Sequence, residues 1–252
     1  MAGPYKAPVK DIVFGYEVID SYNVLNKISA FSDFSEDIVI PTMEECAKFS
    51  EEVLAPINAI GDQQGATIKD GVVTMPEEFV DAYQKFAEAG WASISLPSDI
   101  GGGGMPITLS GGTLEILSTA NLAFGLAPGL SAGAISAINF HGSQEQKDKF
   151  LPKLVSGEWT GTMNLSEPQS GSDLGTITTK AEPQEDGSYK ITGTKVWITF
   201  GEHNMTENII HLVLAKVPGS PEGTKGISMF IAVSYTHLRA HETLRYLVCR
   251  LL

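Results

Sequence analysis

The sequence predicts an α+β protein, with a helical N-terminal domain followed by a β-domain. Two observations predict it. Up to about Ser156, apolar residues recur at the 3.6-residue spacing of amphipathic helices. After Trp159 that period gives way to short β-rich runs separated by turn residues. A third observation sets the scale: 42% of the 252 residues are apolar and 19% are charged, enough apolar side chain to bury a core.

The opening residues, Met1 to Asp11, contain no apolar h-region, so no signal peptide is expected. Residues 1–34 read as an N-terminal extension and residues 35–158 as the helical domain. Met43, Ala47, Ser50, Leu54 and Ile57 fall on one helical face. Gly61 to Gly71 reads as a loop. Phe79, Val80, Tyr83, Phe86 and Ala87 make a second helical face, opened by Pro76 and followed by Gly90. The stretch from Ile116 to Gln144 carries no charge, but Pro128-Gly129 interrupts it and Ala, Gly, Ser and Asn are frequent. A membrane span wants about 20 mostly apolar residues, so two buried helices fit this stretch better. Ser143-Gln-Glu-Gln146 is a capping box ahead of Phe150, Leu151 and Leu154.

Residues 159–232 read as the β-domain. Thr176 to Ala181, Tyr189 to Thr192, Lys195 to Phe200, Ile209 to Lys216 and Gly226 to Ala232 are its expected strands, with a turn at Asp186-Gly187-Ser188. Residues 233–252 differ in composition. All 14 lysines lie at or before Lys225, whereas all three arginines (Arg239, Arg245 and Arg250) lie in the last 14 residues. The run from Val233 to Thr243 resembles a translated sequencing-library adapter. Residues 233–252 are therefore expected to be a non-native tail that contributes nothing to the fold.

Acidic residues outnumber basic ones, 30 to 17, for a net charge of −13. Nucleic acid and anionic membranes both attract a positive face, so neither is an expected partner. Two cysteines cannot form a disulfide framework, and a reducing, cytoplasmic setting is expected.

Three segments carry candidate chemistry. Met163-Asn-Leu-Ser-Glu-Pro-Gln-Ser-Gly-Ser-Asp173 offers hydroxyls and backbone N–H groups to the polar edge of a ligand, although its composition equally describes a helix-to-strand loop. In Lys195-Val-Trp-Ile-Thr-Phe-Gly201, Trp197 and Thr199 would share one strand face, with Ile198 on the other. Such a Trp could wall a flat aromatic cofactor or simply fill a β core. Trp91 to Pro106 contains the run Gly101–Gly104, but no Gly-Lys-Ser/Thr follows it and no dinucleotide spacing fits, so a turn into a helix is the better reading. His141 reads as a structural histidine. Glu202, His203 and His211 lack a metal-binding spacing, so no metal is expected.

Together and in this order, these segments resemble the acyl-CoA dehydrogenase family. Leu165-Ser-Glu-Pro-Gln-Ser-Gly-Ser-Asp173 resembles the signature at the start of its middle β-domain, and Trp197-Ile-Thr199 its flavin-contacting strand. Gly90-Trp91 through Pro97 and Gly101–Gly104 resemble its N-terminal helical domain. Tyr5 to Ile12 and Gly201-Glu-His-Asn-Met-Thr-Glu-Asn208 are similar to the branch that includes the 3-methylmercaptopropionyl-CoA dehydrogenases.

The resemblance implies an all-helical domain and an antiparallel β-domain that is incomplete here, with a C-terminal helical domain missing. It implies non-covalent FAD, an acyl-CoA thioester substrate and α,β-dehydrogenation. Met163, Leu165, Ser166, Gly171 and Ser172 would line the flavin, with Ser166 near its pyrimidine edge. Trp197 and Ile198 would lie against it, Thr199 near its N5, and Ser172 would also touch the acyl-CoA. An electron-transfer flavoprotein would be the redox partner and a homo-oligomer the assembly. The family's catalytic base, a glutamate, lies in the C-terminal helical domain, and neither Glu167 nor Glu202 matches it. The chain by itself is therefore expected to be inactive. An acyl-CoA oxidase and a non-catalytic flavin- or acyl-CoA-binding protein are the alternatives.

Overall fold

The computed structural model describes residues 4–234 and 249–250. It divides into two compact units, one formed by residues 1–66 and 76–126 and the other by residues 67–75 and 127–252.

The first unit is helical. Helices α1 (Val9–Val18) and α2 (Ser21–Leu25) precede α3 (Glu36–Phe49), which runs through a π-helical segment, Ser50–Leu54, into α4 (Ala55–Gln64). Pro56 has no N–H, so the regular α-helical ladder loses a bond where the wider turn lies. The carbonyl of Leu54, at the end of this segment, accepts from Asn121 Nδ2 at 3.2 Å. Met43, Ala47, Ser50, Leu54 and Ile57 are all buried, as their spacing predicts. Helix α5 (Glu77–Glu88) buries Phe79, Ala82, Tyr83 and Phe86, and Phe86 meets Phe124 edge-on at 5.6 Å between centroids.

The glycine run folds back on the segment before it. Gly102, Gly103, Gly104 and Met105 donate their N–H groups to the carbonyls of Pro97, Ser93, Leu96 and Ile94. A Cβ at Gly102 would collide with the Leu96 backbone, which is why glycine stands there. These N–H groups are spent inside the loop rather than aimed at a phosphate.

Helices α6 (Ile107–Ala120) and α7 (Leu122–His141) are the two helices expected of the uncharged stretch, but the break falls at Asn121 instead of Pro128-Gly129. Asn121 is extended, and its Oδ1 accepts from Phe124 N at 3.0 Å, which caps the new helix. Pro128 omits one helical bond and α7 continues through it. Helix α7 is long and apolar enough to cross a membrane by length and composition. Phe124, Ala127, Ser131, Ala134, Ile135 and Ile138 form its buried stripe. His141, at its end, is exposed rather than packed.

In the second unit, β1 (Thr67–Lys69) and β2 (Val72–Thr74) form a hairpin where a loop to Gly71 was expected. Asp70 and Gly71 both have positive φ, the requirement of a tight two-residue turn. Helix α8 (Gln144–Val155) begins at the expected capping box on Ser143. The main sheet contains β3 (Trp159–Asn164), β4 (Lys180–Pro183), β5 (Tyr189–Thr192), β6 (Asn208–Lys216), β7 (Ile227–Val233) and β8 (Cys249–Arg250). Its order is β5-β4-β6-β7-β8, with β3 also beside β6. The sheet is mixed rather than purely antiparallel: β3 runs parallel to β6 over six residue pairs, and β4 is parallel to β6 at Lys180–Lys216. Ala181, Ile191, Val213, Ala215, Phe230 and Ala232 form its apolar core.

Strands β5, β6 and β7 lie where the sequence puts them. Thr176 to Ala181 does not form one strand, because Leu174–Thr176 makes a 3₁₀ turn and β4 starts at Lys180. The change from helix to strand falls at Trp159, yet residues from Ala127 onward cluster with the strands. Gly161 explains this. Its N–H donates to Ser131 Oγ at 3.0 Å, and a Cβ there would sit 2.5 Å from Ala134 Cβ. Of the expected tail, Val233 belongs to β7 and Cys249–Arg250 pairs with Phe230–Ile231, while residues 235–248, 251 and 252 lie outside the described residues.

Candidate cofactor site

Two sequence segments singled out above meet in the second unit. Val196 N donates to Ser166 O at 3.0 Å, and Lys195 Nζ donates to Leu165 O at 3.0 Å. The same ammonium donates to Glu167 Oε1 at 2.9 Å, in an ion pair whose side chains are 9% and 1% exposed. Glu167 Oε1 also accepts from Thr179 N (3.1 Å) and Thr179 Oγ1 (2.6 Å). Its Oε2 accepts from Thr178 N (2.7 Å), Thr178 Oγ1 (2.9 Å) and Gln169 Nε2 (2.7 Å). Burial alone would push this carboxyl up. The Lys195 ammonium, the Thr179 hydroxyl and the Thr178 amide outweigh it and hold Glu167 well below the ordinary carboxylate range. A carboxylate with both oxygens filled and its charge matched is a clamp, not a base.

That clamp explains why Lys195 to Phe200 is not a strand. Its first two residues bond to the signature loop instead of a sheet neighbour. The chain then turns: Trp197 and Phe200 have φ of 56° and 50°, and Gly201 N closes on Ile198 O at 3.0 Å. Trp197, Ile198 and Thr199 therefore do not alternate across a strand. Trp197 is not a core residue either, being 85% exposed. A bulky side chain on left-handed backbone is a strained arrangement of the kind that concentrates at functional sites.

The other expected site residues lie as follows. Met163 is half-buried on β3 in register with Leu212, and Leu165 and Ser166 are half-buried just beyond the strand. Glu167 and Ser170 form a two-way backbone bridge, which throws Gly171 and Ser172 onto an exposed turn. Asp173 closes the turn by accepting from Gly175 N at 3.1 Å. Thr199 is exposed, as is Glu202. Among the described residues, no cluster of three or more His, Cys, Asp or Glu side chains could hold a metal.

A second polar node, on β3, was not foreseen. Thr160, Thr162 and Asn164 share one face of β3. His203, 5% exposed, brings Nε2 to 3.0 Å from Thr160 Oγ1, and its Nδ1 accepts from Met205 N at 3.2 Å. That acceptor role fixes the neutral imidazole with its proton on Nε2. His211, 1% exposed, brings Nδ1 to 2.6 Å from Thr162 Oγ1, which itself donates to Asn164 Oδ1 at 2.8 Å. Burial pushes both imidazoles down to about 4, and His203 adds to the effect on His211. The alternation Thr-x-Thr-x-Asn was the available signal, but the partner histidines are 43 and 49 residues away in sequence.

Two family models match the chain, and they divide near the helix-to-strand change at Trp159 rather than at the boundary of the compact units. Residues 41–158 match the family model "Acyl-CoA dehydrogenase, N-terminal domain", and residues 162–243 match "Acyl-CoA dehydrogenase, middle domain". The chain is 44% identical over 227 residues to 3-methylmercaptopropionyl-CoA dehydrogenase of Ruegeria pomeroyi, covering 90% of this chain and 39% of that protein. It is 36% identical over 236 residues to a butyryl-CoA dehydrogenase of Syntrophomonas wolfei, covering 92% and 38%. The chain thus spans well under half the length of these curated relatives. Among solved structures, butyryl-CoA dehydrogenase from Megasphaera elsdenii shares the fold, with a TM-score of 0.68 and 21% identity over 85% of this chain and 57% of that one.

Proposed function

The chain belongs to the acyl-CoA dehydrogenase family, and from that premise we propose that its second unit holds FAD for the α,β-dehydrogenation of an acyl-CoA thioester. The observation that carries this reading is the exposed Trp197 on left-handed backbone, one residue from the bond that joins Val196 to the signature loop. A planar aromatic cofactor with a hydrogen-bonding edge fits that combination: a ring to stack on, with hydroxyls and backbone groups beside it. Met163, Leu165, Ser166, Gly171 and Ser172 would line the flavin, with Ser166 toward its pyrimidine edge. Trp197 and Ile198 would cover its ring system, Thr199 would bond near N5, and Ser172 would also meet the acyl-CoA. Bound FAD supplies the hydride acceptor, while these residues bind, orient and exclude water.

The base that takes the α-proton is not assigned to Glu167, which is saturated with donors and ion-paired. The chain alone is proposed to bind flavin without catalysing dehydrogenation. The preferred substrate is 3-methylmercaptopropionyl-CoA, supported by the 44% identity to the Ruegeria pomeroyi enzyme. An electron-transfer flavoprotein as acceptor and a homo-oligomeric whole protein belong to the same reading.

Reconstitution of the chain with FAD, followed by flavin fluorescence, tests it. Retained flavin is expected, with affinity falling by roughly 5- to 150-fold in Trp197→Ala, which corresponds to about 1–3 kcal/mol of aromatic stacking. No retained flavin, or no effect of Trp197→Ala, would overturn the site. Dehydrogenation by this chain with an artificial acceptor would overturn its proposed inactivity.

A further inference from the structure

The run Gly201 to Asn208 carries the resemblance to one branch of the family, yet no residue in it has a role in the site above. In the structure it delivers His203 to the inner face of β3 and bonds Asn204 Oδ1 to Met75 N at 2.8 Å, at the end of the β1-β2 hairpin. His211 reaches the same face from β6, directly opposite Thr162 in the parallel pairing. The two imidazoles thus hold two alternate residues of β3, Thr160 and Thr162. Thr162 Oγ1 donates to Asn164 Oδ1, and the next residues are Leu165 and Ser166.

This matters because, among the described residues, β3 pairs with one strand, β6, and Gly161 N turns to a serine hydroxyl on α7. A strand with one ladder depends more on its side chains to fix its end. Thr162's hydroxyl has one proton, and that proton goes to Asn164. His211 must then donate through Nδ1, which leaves Nε2 a buried acceptor with no partner among the described residues. A solvating or apolar replacement would be the cheaper way to fill such a place, so a buried imidazole with one idle nitrogen points to a job for the other nitrogen.

We infer that His203 and His211 are positioning residues for the flavin site, fixing β3 through Thr160 and Thr162 so that Met163, Leu165 and Ser166 meet the cofactor. The inference rests on the flavin reading above. Neither imidazole touches the cofactor; each acts through a threonine.

The experiment is FAD titration of the 252-residue chain and its variants, with thermal unfolding measured alongside. His211→Asn keeps a donor near the place of Nδ1, and His203→Gln keeps one near the place of Nε2. Both should retain FAD affinity within about threefold. His211→Leu and His203→Leu should lose about tenfold or more, the scale of one lost hydrogen bond that aligns a strand. Ile191→Ala, in the apolar core on β5, controls for instability alone, and it should weaken FAD binding less than His211→Leu at an equal loss of thermal stability. Should His211→Leu fail to fold, His211→Asn against His211→Gln gives the same contrast, since Gln carries its amide past the Nδ1 position. Equal affinities within these pairs, or losses that track thermal stability as Ile191→Ala does, would overturn the inference while leaving the flavin site intact. No FAD binding by the unsubstituted chain would overturn the flavin site and this inference with it.

Discussion

The two buried polar nodes of the β-containing unit solve one problem in opposite ways. Around Glu167 the chain buries a full charge and surrounds it with Lys195, Thr178, Thr179 and Gln169. Around His203 and His211 it buries only neutral rings, bonded to Thr160 and Thr162, and leaves one ring nitrogen without a partner among the described residues. The charged node ties together two loops with no ladder between them. The neutral node tunes a strand that already has one. A junction without regular hydrogen bonding needs the stronger, charge-assisted kind, whereas a strand needs only modest, directional contacts.

The largest expected effect breaks the charged node. Lys195→Met leaves Glu167 buried without its counter-charge and should cost about 3–5 kcal/mol in chemical denaturation. A loss under about 1 kcal/mol would mean that the threonines alone carry the carboxylate.

Acidification should separate the nodes. Both imidazoles are lowered from 6.5 to about 4, so the unfolded chain binds more protons between those values. Their support is complete above pH 6.5 and is lost as pH falls to about 4, on the order of 3 kcal/mol for each. Glu167 is depressed, so its contribution is complete above the ordinary carboxylate range and is lost progressively as pH falls from that range toward its lower folded value. Stability measured against pH should therefore decline first in the histidine window, and His211→Asn should flatten that first decline.

A smaller effect tests the frame behind both nodes. Gly161→Val should cost about 1–3 kcal/mol, because its new side chain overpacks against Ala134 on α7. Smallest is Trp197→Gly, which removes an exposed ring and relieves a positive φ. It should change thermal stability by less than about 1 kcal/mol while abolishing the stacking surface.

The same contrast explains what was legible in the sequence. Helices and strands with a local signature were readable: the capping box at Ser143, the apolar face of α5, and the β-rich runs of β5, β6 and β7. Asp70-Gly71 was a readable turn that the surrounding loop composition masked. Lys195 to Phe200 has the β propensity of a strand, but its partner is a loop some 30 residues earlier, and no local pattern encodes that bond. Ser166 and Trp197 were identified from motifs, and the structure bonds Ser166 to Val196, the residue before Trp197. The clamp on Glu167 was invisible because it depends on Thr178, Thr179 and Lys195 converging from separate turns. The histidine node has no local sequence signal, because parallel register sets His211 opposite Thr162 and the loop before β6 brings His203 to Thr160.

A double-mutant cycle on Glu167 and Lys195 addresses the central claim most directly, with FAD affinity and unfolding free energy measured for Lys195→Met, Glu167→Gln and the pair. If the ion pair clamps the signature loop to the Trp197 segment, the double variant should be more stable than Lys195→Met and both should bind FAD poorly. Losses that simply add in stability, with FAD binding unchanged throughout, would contradict it.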